Sequence, residues 1–321
     1  SNKVNYWTGQ EALDFEKEFA AWNGVNYAVA VMNGTVALDL ALKSLDIGSN
    51  DEVIVSPRSF VASASAVVSV GATPIFADVD KISGNITAET ISKVISDKTK
   101  AIICVHLAGM PCDIDPIKKI AKRHGIYIIE DCAQAHGAAY KGRSVGILGD
   151  IGAWSFCQDK IMTTGGEGGM VTTNNTKLWR KMWSYKDHGK NYQLMTKPSK
   201  TKGFKWVHDS IGTNWRMTEM QASIGRIQLR KMRKWNELRN RNAKEIIDTL
   251  STFSDFIELP SIPDYVNHAY YRVYGNVKTH LNTCRGEQNN LLNALKKKYE
   301  SEYPNASINN YSERISIISI E

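Results

Sequence analysis

From residue 27 to about residue 175 the chain alternates short apolar runs with amphipathic stretches, and no other feature restricts the fold as much. The runs at 27–32 (YAVAVM), 53–56 (VIVS), 73–77 (TPIFA), 101–105 (AIICV) and 126–130 (IYIIE) are too short to bury a helix face and read as strands. Helical patterns separate them. Asn33-Gly34-Thr35 opens one with Leu38, Ala41, Leu42 and Leu45 on a single face. Residues 60–70 and 88–95 read as two more. Asp115-Pro116 starts another in N-cap and N1 fashion, and Gly125 ends it. Residues 153–156 and 169–173 add two strands around a glycine-rich loop. Parallel neighbours need crossover helices, so this order predicts an α/β fold, a mostly parallel sheet sandwiched by helices. Sites in such sheets lie beyond the carboxyl ends of the strands.

The flanks follow other patterns. Thr8-Gly9-Gln10-Glu11 fits a capping box ahead of Ala12, Phe15, Phe19 and Trp22, with Gly24 as the stop. Residues 187–214 form a long polar connection, of the kind that is usually functional or disordered. Thr218 to Gln221 caps a helix carrying Met220, Ile224 and Ile227. From about residue 256 the style turns α+β, with a strand over 268–277 and a helix near 288–299. The expected division is a large domain over 1–250 and a small C-terminal domain over 251–321. The chain closes on ISIISIE, and a bare apolar edge is a liability, so the small domain is expected to be incomplete.

Composition narrows the function. No apolar run approaches the roughly 18 residues of a membrane span, and no targeting segment is read at the start. The net charge of +7 suits an anionic partner. Basic residues gather over 226–241, which reads as a solvated helix face, because no nucleic-acid-binding signature accompanies them. The five cysteines, Cys104, Cys112, Cys132, Cys157 and Cys284, form no CxxC pair. They point to reduced thiols in a cytoplasmic protein without structural zinc.

Three polar features fall at the expected strand ends. Asn33-Gly34-Thr35 puts free N–H groups and a helix dipole where a phosphate binds, although the same tripeptide is also an ordinary N-cap. Asp131 follows a buried strand and suits a protonated ligand nitrogen; otherwise it caps the next turn. Lys160 sits in SFCQDKIMTTGG. A water-poor pocket disfavours an ammonium and frees the amine to attack an aldehyde. The competing reading is a surface lysine beside a flexible loop. Ser155 offers a hydroxyl to a phosphate, and Phe60 a face for a flat ring. Pyridoxal 5′-phosphate requires all of these together.

At these residues the chain resembles the DegT-like nucleotide-sugar aminotransferases, a fold type I pyridoxal-phosphate family. NYWTG, NGTVAL, EDCAQAHGA, SFCQDKIMTTGGEGGM, KDHGK and GTNWRMTEMQASIGRIQL carry the likeness, which spans nearly the whole chain. The resemblance implies that Lys160 is the Schiff-base lysine, that Asp131 meets the pyridine nitrogen, and that Gln134 bonds the 3′ oxygen. It implies a phosphate site of Gly34, Thr35 and Ser155, and Phe60 stacked on the ring. Asn214 would reach the phosphate of a neighbouring chain, which makes the protein a homodimer with shared sites. His188 would lie near the sugar nucleotide.

The reaction so implied is a ping-pong transamination from L-glutamate to a nucleoside-diphosphate-linked keto-sugar, expected to be of the 4-keto-6-deoxy type, for surface polysaccharide or lipopolysaccharide. Two alternatives stay open. One is a pyridoxamine-dependent sugar dehydratase, in which histidine typically replaces the lysine. The other is a non-catalytic regulatory protein of the same fold.

Overall fold

The computed structural model describes residues 9–196, 207–278, 293, 297, 307–311 and 314–318. Its elements begin with α1 (Glu11–Asn23), β1 (Tyr27–Val31), α2 (Gly34–Ser44), β2 (Glu52–Val55), α3 (Ala62–Ser69), β3 (Thr73–Phe76) and α4 (Ala88–Ser92). They continue with β4 (Thr99–Val105), α5 (Ile114–His124), β5 (Tyr127–Asp131), the short β6 (Ala139–Tyr140) and β7 (Arg143–Ser144), β8 (Ile151–Ser155) and β9 (Gly169–Thr173). Then come α6 (Thr176–Tyr185), α7 (Tyr192–Thr196), α8 (Glu219–Leu229) and α9 (Met232–Ser251). The last described strands are β10 (Ile257–Glu258), β11 (Val266–Asn267), β12 (Val273–Val277), β13 (Ser307–Tyr311) and β14 (Arg314–Ile318).

Seven strands form the main sheet in the order β1-β9-β8-β5-β4-β2-β3. β3, β2, β4, β5 and β8 pair in parallel, while β9 runs antiparallel between β8 and β1. The α/β expectation therefore holds, with one reversed strand. The central strands are buried on both faces, so they read as continuous apolar runs. Ile128 packs into the layer that holds α1, α4 and α5. Ile129 turns to the opposite layer, with α2, α3 and α6. Asp131 is the last residue of β5, one position further into the strand than the sequence pattern placed it.

Several boundaries differ from expectation for physical reasons. α5 begins at Ile114 with Asp113 at the N-cap, so Pro116 lies inside the first turn rather than at its first position. Proline is tolerated there because first-turn N–H groups have no acceptor within the helix. The expected strand over 268–277 contracts to β12. Residues 293 and 297 are helical, and the remainder of the helix expected near 288–299 falls outside the described residues, as does Cys284. The terminal strand is not a bare edge. β14 lies between β12 and β13, and β13 takes the outer position.

The start of α1 is capped from far away. Thr8, the expected capping residue, lies outside the described residues, and Gln10 at the N-cap makes no side-chain bond to the helix backbone. Glu219 instead accepts from Glu11 N at 2.7 Å and from Ala12 N at 3.4 Å. A buried carboxylate is favourable there because it meets orphan donors and the positive end of the helix dipole. Arg226, expected on a solvated face, ties the same helices together through Glu11 and Glu18, both at 2.7 Å. A Glu219→Ala substitution is expected to destabilise the fold by about 2 kcal/mol, by loss of the cap and exposure of unpaired donors. Urea unfolding monitored by circular dichroism checks this.

Candidate active site

The C-terminal ends of β4, β5 and β8 and the start of α2 surround a cleft of about 420 Å³. Gly34, Thr35, Phe60, Asp131, Gln134, Ser155 and Lys160 all line it. Asn214 and His188 do not. Asn214 is exposed and pairs across a bridge with Asp187. His188 is exposed, with a left-handed backbone (φ 58°), and its carbonyl accepts from His208 Nδ1 at 2.8 Å.

α2 supplies the anion end. Asn33 caps it, its side chain accepting from Val36 N at 2.9 Å. That leaves the N–H groups of Gly34 and Thr35 without an intrahelical acceptor. Gly34 is required by packing: a Cβ there would lie 2.5 Å from Ser155 Cβ and 2.9 Å from its Oγ. The missing side chain brings a helix N-terminus and a hydroxyl against the same space.

Asp131 is buried, and Ser63 Oγ donates to it at 2.8 Å and Ala133 N at 3.1 Å. Burial raises its carboxyl above the ordinary carboxylate range, and these two bonds only partly oppose the rise. The protein thus holds a carboxylate short of positive charge at the cleft. A protonated ring nitrogen is the kind of group that supplies it. Gln134 Oε1 accepts from Ala108 N at 2.7 Å. Because that partner is a donor, the amide orientation is fixed and Nε2 is left as a donor. Phe60 is 70% exposed over the cleft, an open face that a flat ring can cover.

Lys160 sits less among small residues than the sequence suggests. Its side chain is 14% exposed, with Nζ 3.3 Å from Asp159 Oδ2 and 5.2 Å from the centre of the Tyr271 ring. Beneath the cleft, Glu130 is fully buried. It accepts from Gly146 N at 2.9 Å, from Leu148 N and Gly149 N at 2.7 Å, and is paired with His106 Nε2 at 3.0 Å. His106 Nδ1 accepts from Cys112 N, so Nε2 is the protonated nitrogen and donates to Glu130. His106, Glu130 and Cys132 lie close enough to suggest a metal, but both histidine nitrogens are already used.

Ser63, Glu130, His106, Asp159 and Tyr271 were not singled out from the sequence. All act through contacts between distant segments, and only the D-K dipeptide at 159–160 carried a local signal. In the KDHGK stretch the charged side chains on either side of His188-Gly189 are taken up by ion pairs. Lys186 pairs with Glu16 at 2.6 Å, and Asp187 pairs with Lys190 at 2.8 Å and Arg216 at 2.5 Å.

This sheet and cleft are those of fold type I aminotransferases. The sequence profile of the DegT/DnrJ/EryC1/StrS aminotransferase family matches residues 1–302, and the chain belongs to that family. It is 39% identical over 316 residues to the GDP-perosamine synthase of Escherichia coli O157:H7, covering 98% of this chain and 81% of that protein. It is 40% identical over 269 residues to a UDP-N-acetyl-3-dehydro-alpha-D-glucosamine 3-aminotransferase of Acidithiobacillus ferrooxidans, with coverage of 84% and 69%. A solved aminotransferase from Psychrobacter cryohalolentis superposes with a TM-score of 0.90 at 49% identity, over 99% of this chain and 88% of that one. The protein is a pyridoxal-phosphate-dependent aminotransferase.

The cleft fits that cofactor: a helix N-terminus and hydroxyl for a phosphate, an electron-rich carboxylate for a ring nitrogen, and an amine. Gly34→Ala is expected to push α2 away from Ser155. Overpacking of this kind costs about 1–3 kcal/mol, so cofactor affinity should fall about fivefold or more. Fluorescence titration with pyridoxal phosphate checks this.

Proposed function

We propose that the enzyme moves the amino group of L-glutamate to a nucleoside-diphosphate-linked keto-sugar of the 4-keto-6-deoxy type, in surface polysaccharide or lipopolysaccharide synthesis. The observation that carries the reading is Lys160 and Asp131 on one cleft with the N-terminus of α2. The likeness to a GDP-perosamine synthase along 98% of the chain supports the substrate class. The charge of +7 suits a diphosphate.

Each residue has a task in this reading. Bound pyridoxal phosphate supplies a reactive carbonyl and an electron-accepting ring. Gly34 N, Thr35 N and Ser155 Oγ hold the phosphate, and Phe60 covers the ring. Asp131 keeps the ring nitrogen protonated by Coulomb attraction in a dry site. Gln134 Nε2 donates to the ring oxygen. Lys160 Nζ would hold the cofactor at its carbonyl carbon at rest, and as a free amine it would carry the proton from the α-carbon of the amino donor to that cofactor carbon. The same groups then work in reverse on the keto-sugar, so the kinetics are ping-pong. A dehydratase reading is disfavoured because Lys160 is a lysine, and a regulatory reading because the cofactor set is complete.

The homodimer belongs to the same proposal. Met220, Ile224 and Ile227 lie on the outward face of α8, 65%, 37% and 53% exposed. Ile211 is 90% exposed and Val61 is 68% exposed. So much exposed apolar surface is typical of an interaction face. Asn214, exposed and outside the cleft of its own chain, is then free to serve the partner's phosphate, and His188 to approach the sugar nucleotide. A large domain over 1–250 with a small one over 251–321 completes the proposed organisation.

Two outcomes are expected. The loaded wild type absorbs in the visible, and L-glutamate replaces that band with a near-ultraviolet one; Lys160→Ala loses this response, and activity falls by at least about three orders of magnitude. Ile227→Asp shifts sedimentation towards monomer and weakens cofactor retention together. A monomer that binds cofactor as tightly as wild type would rule out shared sites.

A further inference from the structure

Lys160 Nζ has a charged neighbour with no task in the reaction above. Asp159 places Oδ2 3.3 Å from it, and that oxygen also accepts from the Tyr271 hydroxyl at 2.8 Å. Tyr271 comes from 112 residues further along the chain, just ahead of β12, and is buried. Its ring lies beside Nζ, and the Arg272 guanidinium stands 5.2 Å from the same ring. A half-exposed ion pair is weak when both side chains are free to rotate. Here Tyr271 takes up that freedom on the Asp159 side, and packing holds Lys160.

The other groups near Nζ do not replace this carboxylate. Asp131 also feels the Lys160 charge, but Ser63 and Ala133 hold its carboxylate at the place assigned above to the ring nitrogen. Glu167 lines the cleft and lies 3.7 Å from Cys157 Sγ. Burial pushes the Cys157 thiol up, and it pushes the Tyr271 hydroxyl up to about 12, so both stay neutral. His136 is pushed down to about 3 by burial and is neutral as well. Asp159 itself is held below the ordinary carboxylate range. Its burial works against this and is outweighed by Tyr271 and Lys160, so Asp159 is charged at neutral pH.

We propose that Asp159, positioned by Tyr271, is the counter-ion of the Lys160 nitrogen and sets how tightly that nitrogen holds its proton when joined to the cofactor. The inference rests on Lys160 being the residue that binds the cofactor. Asp159 and Tyr271 are positioning residues. A negative charge at this distance favours the protonated linkage, which is the form more open to attack by an amino donor. Because Tyr271 belongs to the segment ahead of β12, that segment helps to tune the reactive nitrogen.

The test is a pH titration of the visible band in the pyridoxal-phosphate-loaded wild type, Asp159→Asn, Asp159→Glu, Tyr271→Phe and Asp159→Asn/Tyr271→Phe proteins. Asp159→Asn is expected to lower the midpoint by about one pH unit, a tenfold loss of proton affinity. Asp159→Glu restores part of it. Tyr271→Phe moves the midpoint, and the movement vanishes in the double variant, because Tyr271 acts through Asp159. An unmoved midpoint in a loaded Asp159→Asn protein overturns the proposal. A Tyr271→Phe midpoint equal to wild type, or a shift that persists in the double variant, overturns the positioning role. A wild type with no visible band overturns the assignment of Lys160 itself, an outcome distinct from a variant that loads normally and titrates like wild type.

Discussion

Glu130 has no exposed surface, and its carboxylate is met by three backbone N–H groups and a histidine. An ion buried without partners costs several kcal/mol, so the fold is stable only with this set complete. The bonds link β5 to residues 145–149, which lead into β8. His106 ties the end of β4 to the same point, because its backbone N–H donates to the Asp131 carbonyl at 3.1 Å. Three strand ends are thus locked in register beneath the cleft. Asp131 is the next residue, and its position follows from that lock.

The same edge shows how backbone proximity is turned into a binding site. α2 can approach β8 only because Gly34 has no side chain to meet Ser155. The helix N-terminus then faces the residues that β5 and β8 deliver from the other side. Burial leaves Asp131 short of positive charge, while the α2 terminus is short of negative charge. One ligand with a phosphate and a protonated ring nitrogen satisfies both, which is why a single cofactor accounts for groups that look unrelated along the chain.

The centre of the sheet was legible because β2, β4 and β5 are largely buried and therefore read as Val- and Ile-rich runs. Gly24 and Gly125 marked helix ends correctly because their left-handed backbones, φ 79° and 66°, are a local demand. Capping of α1 by Glu219 was not legible: donor and acceptor are 208 residues apart. Pro116 misled by two positions because several first-turn sites tolerate proline. In the cleft, Lys160, Asp131, Gln134, Ser155, Gly34, Thr35 and Phe60 were marked by strand ends and motif likeness, and one cavity gathers them. Asn214 and His188 stand apart, since a single chain gives them no ligand to face. Tyr271 and Ser63 carried no sequence signal, because a hydroxyl matters only once its distant carboxylate is in place.

The central claim is that the Lys160 nitrogen is the atom that joins the cofactor. The most direct measurement is borohydride reduction of the pyridoxal-phosphate-loaded protein, followed by peptide mass mapping. The account predicts a single stable pyridoxyl label, on the peptide containing Lys160. A label on another lysine, or none on a protein that demonstrably holds the cofactor, would contradict it.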